Sequence, residues 1–425
     1  MLPLLPIAFR NLLRAKRRNA LSGGTMVLGT AALILGSGLS DGIARQLTAS
    51  LVAVQTGHLQ VVVRPDDWQP QNSPFDAYGQ DRLPHGVELA RRIEAEGGPL
   101  GVLRAVPYLH ARGTAIAGNR SSLAVIVGIQ PEREPELRTA LPPEAGRFLP
   151  EGDALAVYIA APMARKLRLG VSDSVSFVLQ TPQGAINSLD AIVCGVFAKA
   201  APWYDNTFYV PLEAAQALLD WPGAATNVKV TLRDGSLAAA RAASPALESI
   251  VARMGSNTAE EGARIRVEPR DRAGRFSYSI IEANQTALAI LSGFLFAAAA
   301  VGIVNAMLMS VHERTREIGT IRALGLRRAG VVRLFLLEGF ALGSVAAGLG
   351  ILVGGAVVVY LGARGIVMNT ITLAWMAGGD RLIPVLEPGS VARAALAIVL
   401  LSTLAAVYPA RVASRLEPRE ALQHV

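Results

Sequence analysis

Long apolar runs interrupt ordinary mixed sequence at four places along this chain. A spanning helix needs about 20 mostly apolar residues, and residues 21–40, 286–311, 331–361 and 391–408 each supply such a stretch. The third is long enough to tilt or to project beyond the hydrocarbon. Its glycines (Gly339, Gly343, Gly348, Gly350, Gly354 and Gly355) suit close helix–helix approach, because small residues let backbones touch in lipid. Glycine is also simply commoner in membrane helices. Past the first run, Asp41–Arg45 continues it as an amphipathic helix, and Leu47, Leu51 and Val54 keep the helical spacing. That continuation, and the length of the run, argue against a cleaved signal peptide.

Between the first and second runs the pattern changes to short β-branched runs and amphipathic helical stretches. Strands are expected at His58–Val63, Leu103–Val106, Thr114–Ala117, Leu123–Ile129, Ala154–Ile159, Ser174–Leu179, Ala191–Phe197, Asn227–Leu232 and Arg264–Val267. Helices are expected at His85–Gly97, Ala161–Leu167, Leu212–Leu219 and Ser236–Met254. Pro65–Pro84 reads as a long surface loop, and Pro131–Pro150 and Gly184–Ser188 as ordinary loops that also suit subdomain edges. Strands mixed with helices at this spacing predict an α+β domain over residues 41–282. The fold class is therefore a membrane protein of four transmembrane α-helices, with a large α+β extracytoplasmic domain between the first and second. Trp203 and Tyr204, beside Asp205, would suit a partner or the bilayer surface if exposed, although buried aromatics are the commoner outcome.

Charge orients the spans. Arg10, Arg14, Lys16, Arg17 and Arg18 precede the first span; Arg314, Arg316, Arg322, Arg327, Arg328 and Arg333 lie between the second and third. Arg411, Arg415 and Arg419 follow the fourth, whereas the loop between the third and fourth carries only Arg364 and Arg381, with Arg393 just inside the next span. Cytoplasmic loops carry the excess of Lys and Arg. Residues 1–20, the 312–330 segment and the 409–425 tail are thus expected inside, and the 41–282 domain outside. The chain's 425 residues are 51% hydrophobic and 17% charged, with formal net charge +8. Because the positive charge flanks apolar runs and aromatics are only 5%, anionic lipid is favoured over nucleic acid as its partner. The single Cys194 excludes an intramolecular disulfide.

Motifs for chemistry are mostly absent. No G-x-x-x-x-G-K-[ST] stretch offers a P-loop, and Leu21–Thr25 (L-S-G-G-T) matches an ATP-binding-cassette signature only by chance, lying at the mouth of a span. His58, His85, His110, His312 and His424 lack metal-ligand spacing, so no metal site is expected. No G-x-S-x-G elbow occurs, and Ser121 and Ser122 lie between strand-like runs without a recognisable base. No catalytic residue is assigned.

The informative stretch is Val311–Gly325 (V-H-E-R-T-R-E-I-G-T-I-R-A-L-G). Ile318, Ile321, Leu324 and Gly325 fall along one side of a helix; Glu313, Arg314, Arg316 and Glu317 cover the other. Gly325 suits the C′ position that ends the helix, with Arg327–Arg333 starting the next. A short amphipathic helix here fits the membrane surface and a groove on a partner protein equally well. Glu338 and Asn305 sit inside spans, where a polar side chain faces the bundle interior or a partner helix.

Glu313–Gly319 with Arg322–Gly325, followed by Glu338-Gly339 and more glycines, resembles the FtsX-like permease family of ABC transporters, over about Ala287–Tyr408. The family includes the MacB and LolC/LolE permeases. Ala8–Leu12 looks like its start, and Ala161–Val178 with Ile192–Phe197 is similar, more weakly, to the MacB-like periplasmic core domain. The resemblance implies a multi-pass permease of the bacterial inner membrane. A separate cytoplasmic ABC ATPase dimer would bind the ATP, so the chain itself would need no cofactor. That ATPase would dock on 312–330 as a coupling helix, through Glu313, Arg314, Arg316, Glu317, Ile318, Ile321, Arg322, Leu324 and Gly325. Asn305, Glu338, Gly339 and Gly343 would serve dimer or bundle contacts with a second permease subunit, identical or different. A periplasmic carrier or adaptor would complete the partners. The expected task is mechanotransmission that releases or exports a lipoprotein, lipid or amphiphile. The alternatives are MacB-like efflux and FtsX-like regulation of a periplasmic cell-wall hydrolase.

Overall fold

In a computed structural model, residues 16–68, 81–198, 204–253, 263–370, 373–374, 377 and 379–415 are described. Outside them lie Arg10, Arg14 and the Ala8–Leu12 stretch, most of the Pro65–Pro84 loop, Trp203, Met254 and Arg419. The chain divides into two units, one within 1–43, 283–366 and 382–425, the other within 44–282 and 367–381.

The first unit is helical. Among the described residues four helices are long and apolar enough to cross a membrane. They belong to Lys16–Ser50, Arg275–Glu313, Arg328–Arg364 and Pro388–Ala405, here the first to fourth helices. The first three outrun their apolar stretches at both ends, since the helical hydrogen-bond ladder does not stop where hydropathy does; the fourth starts ahead of its stretch but ends at Ala405, inside the expected 391–408 span. A short helix, Thr315–Ala323, joins the second to the third, and another, Val407–Arg415, follows the fourth. Met26, Ile303, Met307, Ala346, Ala347, Ile398 and Ala406 form the interior where all four meet. The second helix is the least covered of the four: little of its apolar stretch is buried, and Phe294 and Val301 stand open.

Among the described residues the second unit holds a ten-stranded sheet: β1 (Leu59–Pro65), β2 (Val102–Ala117), β3 (Arg120–Ile129), β4 (Pro143–Gly146), β5 (Ala156–Ala160), β6 (Ser174–Gln180), β7 (Ile186–Phe197), β8 (Thr207–Pro211), β9 (Asn227–Leu232) and β10 (Ala263–Pro269). β10, β1, β9 and β2 form an antiparallel sheet in that order. Leu59, Val61 and Val63 alternate toward helices Gly86–Glu96 and Leu237–Ala252, which return Leu89, Ile93, Leu247 and Ile250 to a shared core. β2 runs on into a second body, in which β2, β3, β8, β5, β7 and β6 pair in turn and β6 closes back on β2. Phe177 meets Phe208 edge to face, 5.0 Å between ring centroids, in its interior.

The structure departs from the expected elements at four places, the first two for evident physical reasons. Leu103–Val106 and Thr114–Ala117 are parts of one strand, β2, which passes through Pro107; there it pairs on one side only, with β9, so the missing N–H costs no second ladder. Thr207–Pro211, unassigned from sequence, is β8, a fully buried strand between β3 and β5, too short for its pattern to show. The loop expected at Pro131–Pro150 contains a helix, Pro135–Ala140, and β4. Gly184 (φ +90) lies in the β6–β7 turn, but Ile186–Ser188 already belong to β7. Tyr204 is buried.

Candidate functional site

The helix Thr315–Ala323 follows directly on the second helix, the break falling at Arg314 (φ −108°, ψ 14°). Thr315 is turned back into that break, its hydroxyl donating to the Val311 carbonyl at 2.9 Å. At the other end Gly325 has φ +99°. Its amide donates to the Arg322 carbonyl (3.0 Å), and the Leu326 amide donates to the Ile321 carbonyl (3.2 Å). This is the Schellman pairing, which needs a left-handed residue at C′ and so selects glycine.

The apolar side of the helix divides in two. Ile318 is 6% exposed and packs with Val311, Val331, Phe335, Ala410 and Ala413, tying the short helix to the foot of the third helix and to Val407–Arg415. Leu324 is 84% exposed and Ile321 38%. The outward apolar surface is therefore Ile321 and Leu324, while Ile318 serves the chain's own interior. Glu313, Arg316 and Glu317 are exposed, and Arg322 is half-buried.

Arg314 is directed inward. Its Nη1 donates to Glu338 Oε1 at 3.0 Å and its Nε to Glu317 Oε2 at 3.1 Å. Glu338 is 6% exposed, and a carboxylate so placed is stable only when a cation and hydrogen bonds reach it. Arg314 and Glu338, assigned from sequence to different surfaces, thus form one strut between the short helix and the third helix.

The third helix carries two small-residue seams. On one, a Cβ added at Gly339 would lie 2.7 Å from Ala406 Cβ and 2.9 Å from the Ser402 carbonyl; at Gly343 it would overlap the Ser402 hydroxyl and lie 2.9 Å from Ser402 Cβ. On the other, one at Gly350 would lie 2.7 Å from Thr30 Cγ2, and one at Gly354 2.7 Å from the Ala31 carbonyl. Gly339 and Gly343 thus face the fourth helix of the same chain, Gly350 and Gly354 the first. Gly348 has nothing within 4 Å and Gly355 only an ordinary contact. Asn305, on the sparsely covered second helix, is exposed.

For chemistry of other kinds the described residues offer little. No group of three or more His, Cys, Asp or Glu among them is arranged to hold a metal ion. Ser122 does have a basic neighbour that the sequence did not reveal: Lys166 Nζ donates to its hydroxyl at 2.8 Å. Lys166 is solvent-exposed and lacks the burial that a lysine base requires. Sequence reasoning also missed Thr30 and Ser402, whose role appears only once the helices are packed, and a buried Lys229–Glu134 ion pair across 95 residues.

Comparison with known proteins places these features. The FtsX-like permease C-terminal family matches residues 289–418, and the MacB-like periplasmic core domain matches residues 20–247. Lipoprotein-releasing system transmembrane protein LolC of Xylella fastidiosa (strain Temecula1) is 25% identical over 437 residues, covering 97% of each chain. Macrolide export ATP-binding/permease protein MacB of Burkholderia thailandensis is 27% identical over 252 residues, covering 56% of this chain and 34% of that one, so the chain spans about a third of that relative. The periplasmic region of MacB from Actinobacillus actinomycetemcomitans overlays 51% of this chain and 91% of that one at 13% identity, with a TM-score of 0.35.

Proposed function

The chain belongs to the FtsX-like permease family of ABC transporters, with a MacB-like periplasmic core domain, and from that premise we propose that it is a non-catalytic subunit that transmits ATPase motion across the bacterial inner membrane. Both termini and the Thr315–Ala323 helix face the cytoplasm in this reading, and the strand-rich unit faces the periplasm, an orientation that the Lys and Arg distribution supports. ATP is bound and hydrolysed by a separate cytoplasmic ATPase dimer, and the permease supplies no cofactor of its own.

One observation carries the proposal: a short helix that shows Leu324 and Ile321 outward while Ile318 and the Arg314–Glu338 strut fix it to the third helix. The ATPase takes the outward face, with Arg316, Arg322, Glu313 and Glu317 as polar contacts. Displacement of the helix is then carried through the strut and the glycine seams to the first helix, which continues unbroken to Ser50. A second permease subunit, the same or different, packs on the second helix, where Asn305 is open to hydrogen-bond across the pair. Lipids cover the remainder. The full-length similarity to a LolC protein favours release of a lipoprotein, lipid or other amphiphile, handed to a periplasmic carrier. The partial similarity to a MacB protein favours, as a second reading, efflux through an adaptor.

Copurification with a candidate cytoplasmic ABC ATPase tests the docking face. Leu324→Asp and Arg316→Glu are expected to release the ATPase while the permease stays folded. An intact complex in both variants would refute the site, and ATP hydrolysis by the pure chain would refute the division of labour. Mass spectrometry of amphiphiles held by the purified pair separates lipoprotein or lipid release from efflux.

A further inference from the structure

The first helix does not simply stop at the strand-rich unit. After Ser50 it widens into six residues of π-helix, Leu51–Thr56, and the chain then turns at Gly57 (φ +66°) into β1. Single π turns are rare and concentrate where a helix has a task besides connecting. The returning chain passes the same place: β10 leads into Arg270–Ala273 and then Gly274, where an added Cβ would lie 2.6 Å from Leu51 Cδ1. The Arg270 amide donates to the His58 carbonyl at 3.2 Å, and Leu232 N donates to His58 Nδ1 at 2.9 Å. The outgoing and returning segments of this unit therefore meet at one joint.

A buried ammonium lies behind it. Lys229, on β9, is 2% exposed, and its Nζ donates to the Ala53 carbonyl in the π turn (3.0 Å), to the Tyr108 hydroxyl on β2 (3.1 Å) and to Glu134 Oε2 ahead of Pro135–Ala140. Lysine has three N–H donors, and each reaches a different element. Glu134 is fully buried, so neither charge can turn to water. Gly57 closes the arrangement, for a Cβ there would lie 2.7 Å from Lys229 Cγ and 2.7 Å from the Val230 carbonyl. A lysine whose only purpose was to fill the sheet would be replaced at no loss by an apolar residue. Here its head group holds a backbone carbonyl of the helix end.

We propose that Lys229 is the positioning residue of this joint, fixing the end of the first helix to the β9–β2 sheet so that a displacement of that helix, which acts as the stalk of the domain, moves the whole domain instead of bending its attachment. This rests on the transmission reading above, but its test does not. In the full chain with Cys194→Ser, spin labels at Ala49→Cys and Glu213→Cys, both exposed, report the distance from stalk end to domain. Lys229→Met with Glu134→Leu removes both charges at similar volume, a change that usually leaves stability intact. The expected result is a distance distribution broadened roughly twofold at an unchanged thermal midpoint, because the joint then opens locally. An unchanged width in a folded variant would overturn the proposal.

Hydrogen exchange on the unsubstituted chain gives a second arm that needs no variant to fold. Amides of residues 50–58 are expected to exchange with the slow rate of β9; exchange about 100-fold faster would show a joint that opens by itself and would overturn the proposal. Neither readout uses an ATPase or ATP. Failure here counts against the joint, whereas failure of copurification counts against the permease reading.

Discussion

Six of the glycines in the third helix (Gly339, Gly343, Gly348, Gly350, Gly354 and Gly355) give the sharpest test of how the bundle is held, because the structure divides them into two kinds. Gly354 lies against the backbone of the first helix: an added methyl would sit 2.9 Å from Ala31 Cα and 2.7 Å from its carbonyl oxygen. Carbon atoms rest at about 3.5–4.0 Å, so Gly354→Ala forces the two helices apart by roughly 0.6–1.1 Å. No rotamer change relieves a clash with backbone, and overpacking of this kind costs about 1–3 kcal/mol. Alanine's better helix propensity returns about 0.5–1 kcal/mol of that. Gly348→Ala, with nothing within 4 Å, has only the gain. Unfolding of the purified chain by titration with a denaturing detergent, followed by circular dichroism, is expected to separate the two variants by about 1–3 kcal/mol, Gly354→Ala being the weaker. Gly343→Ala adds a control, since much of its clash is with the Ser402 side chain. Ser402→Gly is expected to restore part of the loss there, whereas Ala31→Gly restores nothing at Gly354. Equal stability of Gly348→Ala and Gly354→Ala would refute the reasoning, for glycine would then be present only because membrane helices favour it.

Two further outcomes follow from polar groups. Arg314→Ala or Glu338→Gln alone is expected to cost about 1–3 kcal/mol, and the two together less than their sum, in a double-mutant cycle on bundle stability; strict additivity would deny the strut. In the strand-rich unit, burial lowers the His110 imidazole from 6.5 to about 3, while its Nδ1 lies 3.1 Å from Thr226 Oγ1. Its folded value is below its unfolded one, so the stability it contributes is complete above about pH 6.5 and is lost as pH falls toward 3. Chemical denaturation at pH 7 and pH 5 is expected to show His110→Asn losing about 1–2 kcal/mol less than the parent over that interval. An identical pH dependence would place the acid sensitivity elsewhere.

The four long apolar helices were legible because hydropathy needs no partner to be read, and Gly325 because a helix stop is a local event. What faces what was not legible. The spacing of Ile318, Ile321 and Leu324 shows a shared side, but only packing reveals that Ile318 turns to Phe335 and Ala413 while Leu324 turns out. Charge patterning likewise suggested outward roles for Arg314; its partner is 24 residues away on the next helix. β8 and the closure of β6 onto β2 depend on pairings between distant segments, and five buried residues with no alternation carry no strand signature of their own. The Lys229–Glu134 pair is the extreme case: an Asn-Val-Lys-Val-Thr-Leu strand advertises a lysine, and nothing in it names a glutamate in a loop 95 residues earlier.

The two seams of the third helix also have an order in time. The chain is made from its amino terminus, so the first helix is already in the membrane when the third arrives, and Gly350 and Gly354 find Thr30 and Ala31 waiting. Gly339 and Gly343 face Ser402 and Ala406, which are not yet synthesised. Until Pro388–Ala405 is inserted, that second seam is a smooth backbone strip open to lipid and to any other helix with small residues. A three-helix stage of biogenesis would carry its vulnerable surface at Gly339 and Gly343.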